Sequence, residues 1–459
     1  MSGAQARRVC VIGAGVSGLA ACKYLHQAGV PFDCFDERES VGGVWAYTEE
    51  PGITCAWESL NQNSPRGTYA YGDFPMPDHY AGFPKPAEVW EYLNNYVDHF
   101  GFRDRIRLKT RVERVQPRAD GTWDVALGSG EVRRYASIVV ANGHHNEPRY
   151  PRYEGHFAGE TLHSRDYRRR DSYAGKRVLV VGLGNSGSQI AVDVSYAADQ
   201  VLLSTRRGAW VLPHFIRGKP YDAWLNPPPW WVLRSTPARL RGAMVSRYYR
   251  LLLGSPARFG LPEPDHHFGE ALPTVCEGLF DRLGNGRIAV KPEVTRLDGG
   301  RVLFADGSDE AVDAIIHCTG YQTTFPFLDR KIFSADDNRV RLYKRTFLPR
   351  HPGLCFVGAF QAMAPAFVPV FEAQARLVAG YLSGDYALPS SEEMEREVER
   401  DLAAIEREFV RSPRNNYQVQ GPVFIHDCEV DLKRGRRRAA LQSESPRSAP
   451  LAGAAWRLR

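Results

Sequence analysis

No two of the eight cysteines (10, 22, 34, 55, 276, 318, 355 and 428) form a Cys-x-x-Cys pair or stand at zinc-binding spacing. That excludes a dithiol redox motif and a structural zinc site. Several of these cysteines lie inside apolar runs, where a reduced, buried thiol is expected. A reducing, cytoplasmic compartment follows. No run of about eighteen apolar residues occurs, so no transmembrane helix is expected. Arg7 and Arg8 precede the apolar run Val9-Cys10-Val11-Ile12, but Gly13 breaks it at once, which argues against a signal peptide. Excess charge is scarce as well. Lys and Arg number 59 against 53 Asp and Glu, a net +6, with much of the surplus in the last thirty residues. Such a body carries no footprint for nucleic acid. The length of 459 residues points to two or three domains.

What the chain does have is one loop pattern, twice. The run Val9 to Ile12 breaks into Gly13-x-Gly15-x-x-Gly18, and a helix is expected from about Leu19 to Ala28. Gly29 ends it, and the strand Phe32 to Phe35 finishes at Asp36-Glu37. The second copy runs from Val178 to Val181 into Gly182-x-Gly184-x-x-Gly187. After a helical stretch, Val201 to Leu203 ends in Ser204, Thr205, Arg206 and Arg207. Glycines let the backbone approach a pyrophosphate at a helix N-terminus, where free N–H groups and the helix dipole favour an anion. An acid about twenty residues after the loop suits a ribose 2′-OH, so the first loop reads as the site of an adenosine without a 2′-phosphate. At the second loop two arginines take the acid's place. A guanidinium fork binds a 2′-phosphate that a carboxylate would repel, which favours NADPH over NADH. One chain with both sites suits hydride transfer from NADPH to bound FAD. Candidate contacts are Gly13, Gly15, Ser17, Gly18 and Asp36 or Glu37 in the first loop. In the second they are Gly182, Gly184, Asn185, Ser186, Gly187, Ser204, Arg206 and Arg207.

Beyond the loops the chain resembles the flavin-containing monooxygenases. Their signature F-x-G-x-x-x-H-x-x-x-[YF] reads here Phe157-x-Gly159-x-x-x-His163-x-x-x-Tyr167. Similar too are Asp36 to Gly42-Gly43-Val44-Trp45, Asn63-Ser64-Pro65 running to Asp73-Phe74-Pro75, and Asn142-Gly143-His144. Gly184-Asn185-Ser186-Gly187, Ser204 to Trp210, Cys318-Thr319-Gly320-Tyr321 and Glu372-Ala373-Gln374-Ala375-Arg376 complete the resemblance, which spans about residues 8 to 385. The family usually has Glu where Asp36 falls, which leaves the ribose carboxylate between Asp36 and Glu37, with Asp36 favoured by spacing. The resemblance implies that Gly43, Val44, Trp45, Asn61, Asn63, Val112, Thr319, Gly320 and Gln374 also serve FAD.

The expected fold class is α/β, with two dinucleotide-binding (Rossmann-like) domains and the NADPH domain inserted into the FAD domain. Residues 1–170 would form the first part of the FAD domain, 171–295 the NADPH domain, and 296–432 the second part of the FAD domain. A hairpin is expected from Arg301 with Asp306-Gly307 as its turn. The strand Ala314 to Cys318 is expected to re-enter the FAD domain, and Ala373 to Leu382 to form a closing helix. Residues 215–270, rich in proline and tryptophan and then basic and aromatic, match an insert that in the family helps shape substrate access. The same stretch reads equally as a loop packed on the domain interface, and peripheral membrane contact through Trp230 and Trp231 is a third reading. From Lys433 the chain is basic, rich in Ser, Pro and Ala and without periodicity, so 433–459 is expected to be disordered.

The resemblance implies a monooxygenase in which reduced flavin adds O2 at C4a, and the C4a-hydroperoxyflavin oxygenates a soft nucleophile, amine or sulfide, on a small molecule. No acid–base triad or metal set is required, and none is apparent. Asn63 is the candidate catalytic side chain, since a carboxamide offers a donor and an acceptor beside the flavin; Asn61 is its neighbour and alternative. His163 reads as structural more readily than as a proton donor. A disulfide reductase needs the missing cysteine pair. Baeyer–Villiger enzymes follow the last signature residue with Pro or Asp, whereas Arg168 follows Tyr167 here. A non-catalytic nucleotide-binding protein would show degraded motifs. The substrate is unnamed by the sequence, and the oligomeric state, a homodimer included, stays open.

Overall fold

The strand Val9–Ile12, buried along its whole length, forms part of a six-stranded sheet. A computed structural model describes residues 8–225, 231, 235–363 and 367–444. Strand order in this first sheet is Phe347–Leu348, His351–Phe356, Ser137–Val140, Val9–Ile12, Phe32–Phe35 and Ile106–Arg107. All but the antiparallel edge pair run parallel, with Val9 opposite Phe32 and Ser137. Such strands are covered on both faces, which is why they read as unbroken apolar runs. One cover is the helix Val16–Gln27, which packs on the helix Val368–Ser383. The helix expected from Ala373 to Leu382 thus begins earlier, at Val368. The antiparallel meander Val112–Pro117, Trp123–Leu127 and Val132–Tyr135 covers the other face through Val115, Trp123 and Val125.

A second, fully parallel sheet has the order Glu160–His163, Ala314–His317, Arg177–Val181, Gln200–Ser204 and Ile288–Lys291. This corrects the expected boundaries. Ala314–His317 does not re-enter the first sheet; it lies between Glu160–His163 and Arg177–Val181, with Val178 opposite Ala314 and Val181 opposite His317. The strand Glu154–Phe157 likewise pairs with Val294–Gly299. The second unit therefore draws on residues before 171 and after 295. A four-residue buried run is apolar in either sheet, so its composition cannot name its neighbours. The hairpin Arg301–Phe304 with Asp309–Ala311 forms with Gly307 in the left-handed region (φ +81°).

Trp230 lies outside the described residues, and Trp231 is exposed. The remainder of the insert packs: Ile216, Tyr221 and Tyr249 share a buried cluster with Trp210, Leu212, Val275 and Phe83 of the main body. No described helix is long and apolar enough to cross a membrane.

The tail differs from expectation. Gly421–Glu444 is a helix, and it packs on Val368–Ser383. Its inward seam is Cys428, Asp431, Gly435 and Arg438, spaced three and four apart. Tyr386 donates its hydroxyl to Asp431, and Arg438 Nε donates to the Ala387 carbonyl at 2.8 Å. Gly435 lies against the Tyr386 ring with no room for a Cβ. The basic residues Lys433, Arg434, Arg436 and Arg437 face outward. Phe424, Ile425 and Leu432 pack from the same helix, but beyond Leu432 the seam continues through Gly435 and Arg438, which leaves no hydrophobic period in the stretch expected to be disordered. Residues 445–459 of the expected tail lie outside the described residues. Truncation after Leu432 is expected to lower the melting temperature. Gly435→Leu should do the same, since overpacking typically costs about 1–3 kcal/mol. Unchanged melting of both variants would show that this helix does not dock.

Candidate functional site

Both glycine loops open into one cavity of about 1050 Å³. At each loop the strand delivers its chain to a glycine in the left-handed region, Gly13 (φ +105°) and Gly182 (φ +115°). The third glycine of each motif, Gly18 or Gly187, sits so close to the carbonyl of the first that a Cβ would collide with it. These two glycines set helix against strand and lie behind the cavity wall. The helices Val16–Gln27 and Asn185–Val194 start from Gly15 and Gly184 with no side-chain cap and no acidic residue in the first turn. Their free N–H groups and dipoles are thus left for an outside anion. Two bare helix ends on one cavity fit two pyrophosphates.

Asp36 is buried on the cavity wall. Its carboxylate accepts from the Ala14 N–H at 2.7 Å and the Arg38 N–H at 2.9 Å. Glu37 is exposed, 3.8 Å from Arg111, and forms no part of the wall. Gly15, Ser17, Gly43, Val44, Trp45, Asn61, Asn63, Thr319 and Gly320 line the same cavity. Besides Gly18 and Glu37, two more expected FAD residues do not. Val112 is buried in its strand. Gln374 accepts from the Gly358 N–H at 2.9 Å and donates to the Arg345 carbonyl at 2.8 Å. It fixes Gly358, which does reach the wall. A resemblance marks which positions matter, but does not separate contact from support.

Around the second loop Gly182, Gly184, Asn185, Ser186, Ser204, Arg206 and Arg207 line the cavity. Asn185 accepts from the Val275 N–H at 2.8 Å, and Ser204 donates to the Pro292 carbonyl at 2.7 Å. The two arginines are not equivalent. Arg207 is engaged with Asp265 at 2.6 Å. The Arg206 side chain is 73% exposed, with Glu293 no closer than 3.9 Å.

Asn63 stands where the units meet. Its side-chain oxygen accepts from Gln189 Nε2 at 2.5 Å, and its backbone carbonyl accepts from the Tyr221 hydroxyl at 2.9 Å. Gln189 and Tyr221 were not singled out from the sequence. Gln189 had a signal: it lies four residues after Asn185, on the same helix face. Tyr221 comes from the insert, so that segment both packs on the body and lines the cavity. Arg414, Asn415 and Tyr417 also line it, from a stretch that carries no recognisable motif.

The signature residues brace this arrangement. His163 is buried off the cavity; its Nε2 donates to the Gly320 carbonyl at 3.1 Å while Nδ1 accepts from the Arg165 N–H at 3.2 Å. Burial pulls its pKa down to about 4, so it is neutral at pH 7. Tyr167 donates to Asp193 at 2.6 Å. Arg168 donates to the carbonyls of Glu50 (2.8 Å), Thr54 (3.0 Å), Arg165 (2.8 Å) and Tyr167 (2.9 Å), and thereby holds the loop that brings Cys55, Ala56 and Trp57 to the wall.

The flavin-binding monooxygenase-like family model matches residues 6–432. Flavin-containing monooxygenase 5 of Oryctolagus cuniculus is 34% identical over 430 residues, covering 90% of this chain and 80% of that protein. Dimethylaniline monooxygenase [N-oxide-forming] 2 of Rattus norvegicus is 35% identical over 406 residues, 84% and 75% of the two chains. Among solved structures, S-allyl-L-cysteine S-oxygenase from Allium sativum superposes with a TM-score of 0.71 at 24% identity, over 96% of this chain and 94% of that one, and so shares the fold. The chain belongs to the flavin-binding monooxygenase-like family, and it is a monooxygenase that uses FAD and NADPH.

Proposed function

We propose that this enzyme transfers one atom of O2 to a soft nucleophile, an amine nitrogen or a sulfide sulfur, on a small molecule. NADPH supplies two electrons, the second oxygen atom leaves as water, and the substrate gains the first. The observation that carries this reading is the uncharged wall at the junction of the units. Trp57, Leu60, Asn61, Gln62, Asn63 and Gln189 line the cavity there, and burial keeps the thiol of Cys55 protonated. An enzyme working through a side-chain acid and base would place one in this wall. Bound and reduced, the flavin itself supplies the activation of O2 and the electrophilic oxygen. The chain's part is to position both coenzymes, offer the Asn63 amide as a neutral hydrogen-bonding group, and exclude water under the loop held by Arg168. Relatives named for N-oxide formation and S-oxygenation support the substrate class.

Incubation with ¹⁸O2, NADPH and a panel of tertiary amines, thioethers and ketones tests the reading. Labelled N-oxide or sulfoxide is expected. Label confined to ketone-derived esters would make the enzyme a Baeyer–Villiger catalyst instead.

The role proposed for Arg206 is capture of the 2′-phosphate, since Arg207 is already held by Asp265. Charge-assisted hydrogen bonds are worth roughly 1.5–3 kcal/mol, so Arg206→Ala should raise the KM for NADPH about ten- to hundredfold and leave that for NADH nearly unchanged. Equal changes for both coenzymes would remove it from this role.

For Asn63, the expected signature is uncoupling. Asn63→Asp can still accept from Gln189 but puts a negative charge on the wall. Losing one preorganised polar contact typically costs on the order of 3 kcal/mol. Oxygenated product should therefore fall about a hundredfold while NADPH is consumed to hydrogen peroxide, and the rate of flavin reduction should change severalfold at most. Tight coupling in both Asn63→Asp and Asn63→Ala would make Asn63 structural.

A further inference from the structure

Arg414 lies on the connection between the helix Ser391–Glu408 and the strand Gln418–Gln420, far in sequence from either glycine loop. Its guanidinium nevertheless reaches the second one: Nη1 stands 3.7 Å from the position a Cβ would take on Gly184. Both residues line the cavity. Among the described residues Arg414 has neither a hydrogen bond nor an ion pair, although most of the chain's arginines near acids are paired. Gly184 is the bare start of the helix Asn185–Val194, with no cap and no acid in its first turn. A guanidinium and a bare helix N-terminus thus converge on one space. Such an arrangement is electrostatically unsatisfied until an anion enters. The surroundings sharpen the point. The protein packed around Arg414 disfavours its charge, and the neighbouring His145 is kept neutral by burial. Asn415, only 4% exposed and on the same wall, has a side-chain oxygen without a partner among the described residues.

We propose that Arg414 binds the pyrophosphate of the nicotinamide coenzyme, from the side opposite the helix Asn185–Val194. A substrate carboxylate is the competing anion, but the approach of Nη1 to a loop glycine places the charge at the phosphates. The connection carrying Arg414 then acts as a clasp from the C-terminal part of the chain onto coenzyme held by the second unit. The proposal rests on the assignment of the second loop to NADPH. It is separate from Arg206, which addresses a group that NAD lacks; the pyrophosphate is common to both coenzymes.

Calorimetric titration of NADP⁺ and NAD⁺ into the FAD-loaded enzyme tests this without turnover, in wild type, Arg414→Gln and Arg414→Lys. Arg414→Gln should weaken both coenzymes by a similar factor, about ten- to hundredfold, with bound FAD unchanged. Arg414→Lys, which keeps the charge but not the fork, should lose severalfold. Unchanged affinity in a flavin-loaded variant overturns the proposal, as does a loss confined to NADP⁺. If Arg414→Gln fails to hold flavin, Arg414→Lys decides alone, since no loss there is equally contrary. A raised KM for a carboxylate-bearing thioether, with coenzyme affinity unchanged, would assign Arg414 to the substrate and also overturn it. Because the readout is coenzyme binding, an enzyme that binds NADP⁺ normally yet oxygenates neither amines nor sulfides would sink the proposed function and leave this inference standing.

Discussion

The hydrogen bond from Gln189 to Asn63 ties the two nucleotide-binding units together on the wall of the cavity they share. Gln189 sits on the helix that begins at the second glycine loop, and Asn63 on the connection that follows the first unit's opening strands. This contact joins the two helix-bearing units together with the packing of Phe83 on Trp210 and of Trp57 on Tyr167. Hydride transfer needs two reactive rings in contact, and an error of an ångström in their approach is costly. The rest of the site reads as support for this one alignment. Tyr221 holds the Asn63 backbone, Arg168 holds the neighbouring loop, and His163 holds Gly320.

Leaving two helix N-termini bare has a cost of its own. A Ser, Thr, Asn or Asp cap is typically worth about 1 kcal/mol, and neither helix has one. The chain caps helices elsewhere: Ser390 and Glu393 form a reciprocal box at the start of Ser391–Glu408. Bare ends are not confined to these two helices, since Ala238–Leu253 and Leu279–Gly284 also start without a side-chain cap; what sets the loop helices apart is that their bare ends open onto the cavity. His144 on the wall and His163 behind it are both held neutral by burial, near pKa 4, so neither adds positive charge to the site at pH 7.

The parts legible in the sequence are those where geometry dictates residue type. Gly13, Gly18, Gly182 and Gly187 admit no side chain, and each loop stands where the sequence pattern places it, between a strand and a helix. What was not legible depends on partners distant in the chain. Ala314–His317 is apolar in any sheet, and only pairing shows that it belongs beside Arg177–Val181. Beyond Leu432 the final helix hides its packing face in Gly435 and Arg438, residues that no hydrophobic period counts. Gln374 and Gly358 are linked across the fold, and Arg414 carries no motif, although it reaches the second loop. Sequence marked the loop glycines and, in the signature, the braces His163 and Tyr167; it was silent about Gln189, Tyr221 and Arg414.

The central claim is that both coenzymes share the one cavity and meet beside Asn63. A crystal structure of the enzyme with FAD and NADP⁺ bound tests it most directly. The account predicts the flavin and nicotinamide rings in van der Waals contact at the Asn63–Gln189 junction. Rings held apart, or NADP⁺ bound outside the cavity, would contradict it.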